Sequence, residues 1–327
     1  MHLPEPGPST ICSLIHISDP HFGSGIVNSG NTWWRKFIAR IPVANQITGL
    51  FPHDYQVAGA LAVAVRHILK DRAQREIPTV VVHTGDLTAG GKLAEFCTGA
   101  TFLRSAHLLP NGAMAGFRLD QRNEIPFDIP GNHDLWSRSS PKSQSPYSDY
   151  YGGSYPIQLH PPIETPRGKV RIFGLDSNRS TLWAHRLANG EVPHHQLQQL
   201  SALLTDTRND CSIKIVCLHH PIDVHPSHAP RLLGFEILKL RHRAQLAQFL
   251  KDHGVHLVLT GHVHRQRTYQ STATSPLQIV AGSCCQIGNT PSFALLDLHP
   301  AELTYHELQA SPGTLHFLPA TSRKCTF

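Results

Sequence analysis

The sequence predicts one α/β domain in which two mixed β-sheets pack together and helices cover their outer faces. The first half alternates apolar, strand-like runs with segments of helical periodicity, which is the order typical of parallel strands joined by helices. The tail after Pro276 contains short apolar runs that we expect to form antiparallel strands. A chain of 327 residues has room for one large domain of this kind.

The individual elements follow from apolar spacing and from Gly and Pro punctuation. Strands are predicted at 11–18, 79–83, 125–129, 155–159, 169–175, 213–218 and 256–260, and in the tail at 277–281, 292–298 and 302–307. Helices are predicted at 56–75, 93–108, 193–205 and 235–253, and residues 135–153 are predicted to be loop because they are rich in Ser, Pro and Tyr.

Composition narrows the class of protein. The net charge of +6 is dispersed along the chain, which suits an anionic substrate such as a phosphate ester and makes nucleic acid an improbable partner. Seven cysteines, an odd number without a Cys-x-x-Cys pair, indicate reduced thiols and a cytoplasmic protein. Residues 1–10 are predicted to be a disordered arm that precedes a single domain over 11–327, and no apolar run is long enough for a membrane span.

The segment at about 26–55 is longer than an ordinary strand–helix connection and contains Trp33 and Trp34. It has two interpretations that the sequence leaves open. It is either an insertion that folds on its own core, or a cap that grips substrate and touches a membrane surface peripherally.

Five predicted strands end in polar side chains beside Gly or Pro. These side chains are Asp19 and His21, Asp86, Asn132 with His133 and Asp134, His219 with His220, and His262 and His264. Ligands bind outside strand ends in sheets flanked by helices, so we expect the five groups to meet. Mixed nitrogen and oxygen donors without thiolate fit Zn²⁺, Mn²⁺ or Fe, and a pair of such ions is suited to phosphoryl chemistry.

The blocks Asp19-Pro20-His21, Gly85-Asp86-Leu87, Gly131-Asn132-His133-Asp134, His219-His220-Pro221 and Gly261-His262-Val263-His264 resemble those of the calcineurin-like metallophosphoesterases. The resemblance implies a four-layer α/β/β/α sandwich with two metal ions at the strand ends. It implies that Asp19, His21, Asp86 and His264 bind one ion, and that Asp86, Asn132, His219 and His262 bind the other. Asp86 would then bridge the two ions.

The resemblance also implies hydrolysis by a metal-bridging hydroxide. His133 is left over from the ligand set, and we expect it to assist the leaving group, with Asp134 orienting it through a hydrogen bond. Candidate substrate contacts come from one loop after His219, from a second loop and from the inserted segment: His220, His225, His228, Arg179, Trp33 and Trp34.

The stretch Gly174-Leu175-Asp176-Ser177, the helix after Pro193 and the strand end Ala281-Gly282-Ser283 resemble the bacterial cyclic-nucleotide phosphodiesterase branch. The favoured function is therefore hydrolysis of small phosphodiesters, with cyclic nucleotides as candidates. The main alternative is a pyrophosphatase of lipid A synthesis that acts on UDP-2,3-diacylglucosamine-type substrates. A phosphomonoesterase, a nuclease and a non-catalytic binding scaffold are less favoured, and the oligomeric state is left open.

Overall fold

The structure is a computed structural model. It describes residues 3–23, 54–104, 107–108, 114–115, 117, 126–135, 146–152, 157–178, 189–206, 211–224, 231–232, 235–236, 239–285, 290–311 and 316–327. The inserted segment, apart from residues 54 and 55, therefore lies outside the described residues.

The described strands and helices have the following bounds. The strands are β1 Cys12–Ile17, β2 Thr79–His83, β3 His107–Leu108, β4 Met114–Ala115, β5 Phe127–Asp128, β6 Ile157–Leu159, β7 Ile163–Thr165, β8 Gly168–Leu175, β9 Ile213–Cys217, β10 Arg231–Leu232, β11 Phe235–Glu236, β12 Leu257–Thr260, β13 Arg267–Tyr269, β14 Leu277–Val280, β15 Ser292–Leu298, β16 Glu302–Ala310 and β17 Phe317–Thr326. The helices are α1 Tyr55–Gln74, α2 Leu93–Arg104, α3 Pro146–Tyr151, α4 His194–Thr205 and α5 Arg243–Asp252, with a short 3₁₀ turn at His133–Leu135.

Two large mixed sheets organise the domain. The first has the order β17-β16-β15-β1-β2-β5, and β1, β2 and β5 are parallel in it. The second has the order β13-β14-β12-β9-β8-β6, with β7 also pairing with β8, and its central strands β14, β12, β9 and β8 are parallel. In each sheet the parallel strands share a direction, so their carboxyl ends lie at one edge.

The alternation of side chains along each strand divides the interior into three apolar layers. Leu14 of β1 packs between the two sheets, whereas Ile15 and Ile17 face the opposite way, toward α1 and α2. On the far side, Val216 and Val258 of the second sheet pack against α4 and α5. Three cores separate four layers of structure, which confirms the predicted α/β/β/α sandwich of two mixed sheets flanked by helices.

The predicted elements differ from the structure in several places. The predicted helix 93–108 ends at Arg104, and residues 107–108 form β3, while the strands β7 and β13 were not predicted. Helix α3 forms within the predicted loop 135–153, and the predicted helix 235–253 begins only at Arg243, because residues 235–236 form β11. The tail run 277–281 forms β14, which pairs parallel to β12 as well as antiparallel to β13. Strand β17, the longest, carries mostly exposed side chains, so it lacks the apolar alternation on which strand prediction depends.

Residues 3–10 run along the body of the domain. The Arg72 guanidinium donates a hydrogen bond to the carbonyl of Pro4, and Arg167 donates one to the carbonyl of Thr10. Ser9 Oγ lies 3.0 Å from His299 Nδ1, and Thr10 is fully buried. The division into an N-terminal arm and a single domain stays a prediction, but these contacts fasten the described part of the arm to the domain.

Candidate metal centre

The polar groups at the five strand ends meet at one edge of the sandwich. Asp19 and His21 follow β1, Asp86 follows β2, and Asn132 and His133 follow β5 in the first sheet. His219 follows β9, and His262 and His264 follow β12, in the second sheet. None of the seven predicted ligands is more than 6% exposed. The two sheets therefore deliver their polar ends into one buried cluster.

One group of four side chains lies at the first-sheet side of this cluster. Donor atoms of Asp19, His21, Asp86 and His264 all lie within 4.8 Å of one another. His21 Nε2 is 2.8 Å from His264 Nε2, and His264 Nε2 is 3.2 Å from Asp19 Oδ1. This set matches the group expected to bind the first ion.

The second group shares Asp86 with the first. Donor atoms of Asp86, His219 and His262 also lie within 4.8 Å of one another. His219 Nε2 is 3.3 Å from Asp86 Oδ2 and 3.1 Å from both Asn132 Oδ1 and His262 Nδ1. Asp86 is thus the one side chain that belongs to both groups, and Asn132 lies beside the second.

The chemistry of the second group fits a cation. His219 Nδ1 donates to the carbonyl oxygen of Thr84 at 2.8 Å, so Nε2 of the neutral imidazole is an acceptor. That acceptor faces the carboxylate of Asp86 and the amide oxygen of Asn132, which are acceptors too. Several buried acceptors that converge require a positive charge between them, either a proton or a metal ion.

The pKa shifts in the cluster show the same demand. Burial alone would raise the pKa of Asp86, but His219, His133 and a hydrogen bond from His219 hold it well below its ordinary value. Burial alone would lower the pKa of His219, but the Asp86 carboxylate raises it to about 9. Burial and the neighbouring His220 keep the pKa of His262 well below its ordinary value. Positive charge is therefore favoured on His219, next to Asp86, and disfavoured on His262.

The backbone at the cluster is strained. Seven non-glycine residues among those described have positive φ, and five of them are predicted ligands: Asp19 (52°), His21 (49°), Asp86 (56°), His262 (74°) and His264 (54°). Side chains other than glycine disfavour this region, and such strain concentrates at functional sites. The left-handed turns bring each donor group back over the end of its strand.

Two glycines let the loops approach each other. Gly85 has φ +100°, and a Cβ there would lie 2.6 Å from His219 Nδ1 and 2.7 Å from the Gly131 nitrogen. A Cβ on Gly131 would collide with Asp86 Oδ1 and the Asp86 nitrogen. Only the absence of both side chains lets the β2 and β5 loops touch.

His133 lies against the cluster, and each of its ring nitrogens faces a different group. Its Nδ1 donates to the carbonyl oxygen of Ala89 at 3.0 Å, and its Nε2 is 3.9 Å from Asp86 Oδ2. Its ring meets the ring of His21 edge to face at 4.5 Å. Burial lowers the pKa of His133. The Ala89 contact thus fixes the tautomer and turns Nε2 toward the metal groups.

The side chains of Asp134 and His133 point away from the predicted hydrogen bond and have other partners. Asp134 accepts hydrogen bonds from the Gly131 nitrogen at 2.9 Å and from the nitrogen and hydroxyl of Thr88 at 2.8 and 2.9 Å. Asp134 therefore ties the β5 loop to the β2 loop, while the Ala89 carbonyl orients His133. Successive residues of this 3₁₀ turn point in different directions, which residue order alone did not reveal.

The remaining predicted site residues divide into two sets. His220 is fully buried, with Nδ1 2.8 Å from Ser177 Oγ and its ring 4.3 Å from that of His262, so it packs behind a predicted ligand. The others lie outside the described residues: Trp33, Trp34, Arg179, His225 and His228.

Sequence reasoning missed Thr88 and the three tyrosines of α3. Thr88 donates to Asp134, and the hydroxyls of Tyr147, Tyr150 and Tyr151 reach carboxylates around the β5 loop. No short-range sequence pattern predicts these contacts, because each joins residues at least 17 positions apart.

Comparison with solved structures finds chains that are similar to this one over most of its length. A dimetal phosphatase from Danio rerio has 14% identity and a TM-score of 0.55, with 97% of this chain and 99% of that chain covered. GAP50, the anchor in the inner membrane complex of Plasmodium, has 13% identity and a TM-score of 0.50, with 97% and 89% covered. A 5'-nucleotidase from Candida albicans has 11% identity and a TM-score of 0.45, with 88% of this chain and 47% of that chain covered.

At these low identities, the first two matches establish a shared architecture and nothing about substrate. No curated protein sequence matches the chain. Among the described residues, none of the helices combines the length and the hydropathy that a membrane span needs. The profile of the calcineurin-like phosphoesterases matches residues 13–266, which contain all five ligand-bearing loops. The chain belongs to the calcineurin-like phosphoesterase family.

Proposed function

We propose that this protein is a phosphodiesterase that hydrolyses small phosphodiesters, cyclic nucleotides among them, at a centre of two metal ions. The observation that carries the proposal is the position of Asp86, whose carboxylate belongs to both donor groups. A shared carboxylate between two sets of nitrogen and oxygen donors is the arrangement that two-metal hydrolases require.

The donors divide between the ions as the family resemblance implies. Asp19, His21, Asp86 and His264 would hold one ion, and Asp86, Asn132, His219 and His262 would hold the other. The donor set fits Mn²⁺, Fe or Zn²⁺. Ions of this kind activate water at neutral pH and neutralise charge on the phosphoryl group.

The protein's own contribution to bond cleavage is assigned to His133. The hydrogen bond to Ala89 holds the ring so that Nε2 faces the space beside Asp86. A phosphoester bound there would place its leaving oxygen near this nitrogen. Its negative charge would favour the imidazolium form of His133, which carries a proton on Nε2 as well as on Nδ1, and the Nε2 proton would pass to the leaving oxygen. An ester with a poor leaving group depends on this proton most.

Preference for diesters is supported by the stretches that resemble the cyclic-nucleotide branch. One of them contacts a ligand loop directly, since Ser283 Oγ donates to the carbonyl of Asp19 at 2.7 Å. Another reaches the β5 loop through Asn178, whose nitrogen donates to Asp176 at 2.8 Å. Asn178 Nδ2 in turn donates to the carbonyl of Pro130 at 3.1 Å, in the β5 loop. These two stretches therefore lie against the ligand loops, and their resemblance to the cyclic-nucleotide branch is what supports the diester preference.

The test compares three substrates on Mn²⁺-loaded protein. We expect bis(p-nitrophenyl) phosphate to be cleaved with a kcat/KM above that of p-nitrophenyl phosphate, and cyclic AMP to be hydrolysed. Preference for the monoester would overturn the diesterase assignment within the family. Cleavage of none of the three would favour a larger substrate, and then Trp33→Ala with Trp34→Ala tests the lipid pyrophosphate alternative. A cytoplasmic location stays a prediction.

A further inference from the structure

Helix α3 presents three tyrosines on one side. Tyr147, Tyr150 and Tyr151 occupy positions i, i+3 and i+4, which lie on the same helix face. Their rings pack together, with centroids 5.1 Å apart for Tyr147 and Tyr151 and 4.7 Å apart for Tyr150 and Tyr151. Phe96 of α2 packs against Tyr150 at 5.2 Å. We call these three residues the tyrosine face.

Each hydroxyl of the tyrosine face donates to a different carboxylate. Tyr147 Oη donates to Asp176 at 2.9 Å, and Tyr150 Oη donates to Asp128 at 2.7 Å. Tyr151 Oη lies 3.3 Å from Asp134 Oδ2, 3.4 Å from the carbonyl of Ile129 and 3.5 Å from Asp128 Oδ1.

The three carboxylates surround the loop that carries Asn132 and His133. Asp128 precedes this loop on β5, and Asp134 follows its two functional residues and accepts from the Gly131 nitrogen. Asp176 holds the backbone of Asn178, whose side chain donates to the carbonyl of Pro130. Tyr151 thus contacts the backbone of residues 129–134 directly, at the carbonyl of Ile129, and Tyr147 reaches it through three successive hydrogen bonds by way of Asp176 and Asn178. Tyr150 holds the carboxylate of Asp128, the residue that precedes Ile129.

The same loop also makes a hydrogen bond to the shared carboxylate of Asp86, and this bond depends on the position of the loop. The His133 nitrogen donates to Asp86 Oδ1 at 2.8 Å, on the carboxylate shared by both donor groups. A shift of the loop would therefore move Asn132, His133 and a hydrogen bond to Asp86 together. Buried hydrogen bonds that are fully satisfied limit such movement.

We propose that the tyrosine face of α3 positions Asn132 and His133, so that Tyr147, Tyr150 and Tyr151 act as positioning residues for the second metal ion and for the leaving group. The proposal rests on the proposed function of the site. It assigns the hydroxyls a role that packing of the rings alone does not fill.

The test removes hydroxyls and keeps rings. Tyr151→Phe and the double variant Tyr150→Phe/Tyr151→Phe are compared with Tyr305→Phe, which removes the hydroxyl of a tyrosine that is 1% exposed on β16, outside the β5 loop. Binding of Mn²⁺ is measured by calorimetry and by the magnetic coupling between two bound ions, neither of which needs activity. Rates are measured on diesters whose leaving groups range from p-nitrophenol to an alkyl alcohol.

We expect the double variant to bind the second Mn²⁺ about tenfold more weakly and the first unchanged, and to lose about tenfold more rate on the alkyl ester than on the p-nitrophenyl ester. Unchanged metal binding and an unchanged leaving-group dependence would overturn the proposal. So would equal losses in Tyr305→Phe, because the effect would then be one of general stability. If the wild-type protein cleaves no diester, the proposed function fails, while the metal-binding result still decides whether the face positions Asn132.

Discussion

Asp86 Oδ2 lies 3.3 Å from His219 Nε2 and 3.7 Å from His21 Nε2, and these imidazoles belong to different donor groups. Its other oxygen accepts from the His133 nitrogen, and its backbone has φ 56°. One residue therefore combines strain, shared charge and loop contact. Two predictions follow for single residues, one for Asp86 and one for His133.

Asp86→Ala should lose metal and activity together. Removing the shared carboxylate leaves both donor sets incomplete, so we expect bound metal to fall from two equivalents to less than one and the rate to fall about a thousandfold. Elemental analysis and a diesterase assay on the same preparation measure both. Asp252→Ala, at an exposed carboxylate ending α5, is the control and should change neither. Full activity in Asp86→Ala would refute the bridging role.

His133→Ala should separate binding from turnover. His133 is outside both donor groups, so the variant should keep two equivalents of metal. Loss of a general acid should lower kcat by about 10²- to 10⁴-fold on an alkyl diester and by much less on a p-nitrophenyl diester. Equal activity on both esters, matching that of the wild type, would show that the leaving group receives its proton elsewhere.

At the scale of the elements, the ends of five strands and the loops after them determine the centre. The β2 and β5 loops touch because Gly85 and Gly131 lack side chains, and Asp134 joins them by hydrogen bonds to Thr88 and Gly131. This contact gives a prediction about the loops themselves.

Gly131→Ala should damage the centre through backbone contact. The added methyl group would collide with the nitrogen and Oδ1 of Asp86. Asp86 could make room only by shifting its carboxylate, which is the predicted bridge between the two metal ions. We expect a loss of about 2 kcal/mol in the free energy of unfolding and weaker Mn²⁺ binding. Gly90→Ala is the matched control, because its Cβ would come no closer than 3.6 Å to Glu95, and it should be neutral. Equal behaviour of the two variants, measured by urea unfolding and calorimetry, would refute this reading of the loop contact.

The sequence predicted the strand ends well because each combines an apolar run, a Gly or Pro breaker and a metal-binding side chain within a few residues. It did not predict α3, because the Ser, Pro and Tyr content of 135–153 favours loop by local propensity, and tertiary contacts of the tyrosines with buried carboxylates decide otherwise. It assigned Asp134 to His133 from adjacency, whereas the turn directs Asp134 to Thr88. Local sequence patterns do not predict contacts between segments that are distant in the chain.

At the scale of the whole molecule, a buried ion network at the opposite end of the first sheet fastens α1, β1 and β15 together. Arg72, fully buried, lies 3.2 Å from Asp297 Oδ2, and Ser13 Oγ also donates to Asp297. His306 Nε2 lies 3.5 Å from the same carboxylate. Arg72 also donates a hydrogen bond to the carbonyl of Pro4, so the network joins the N-terminal segment to the domain.

This network predicts a specific loss of stability in acid. Burial alone would raise the pKa of Asp297, but the nearby imidazole of His306, the charge of Arg72 and a hydrogen bond from Ser13 lower it below its ordinary value of 3.8. A carboxyl with a depressed pKa in the folded state stabilises the fold above its unfolded pKa, and the contribution disappears as pH falls through the folded value. We expect the stabilising effect to be complete above about pH 5 and to decline below about pH 4.

Asp297→Asn should remove this dependence. The variant should lose about 3 kcal/mol at pH 7, because the buried Arg72 loses its buried carboxylate and keeps only the partly exposed Asp71, and should lose less on further acidification than the wild type. Urea unfolding at pH 7 and pH 3 measures both quantities. Glu302→Gln, which breaks a surface pair with Lys324, is the control and should leave the midpoint unchanged. Parallel pH profiles for Asp297→Asn and the wild type would rule out the network as the source.

The proposed activity requires two metal ions that act together as one centre. Metal-free protein titrated with Mn²⁺, with bound ions counted and bis(p-nitrophenyl) phosphate cleavage followed at each step, tests this directly. We expect little activity at one equivalent and a rise to a plateau as the second equivalent binds. Full activity at one equivalent, or activity that persists in excess chelator, would contradict it.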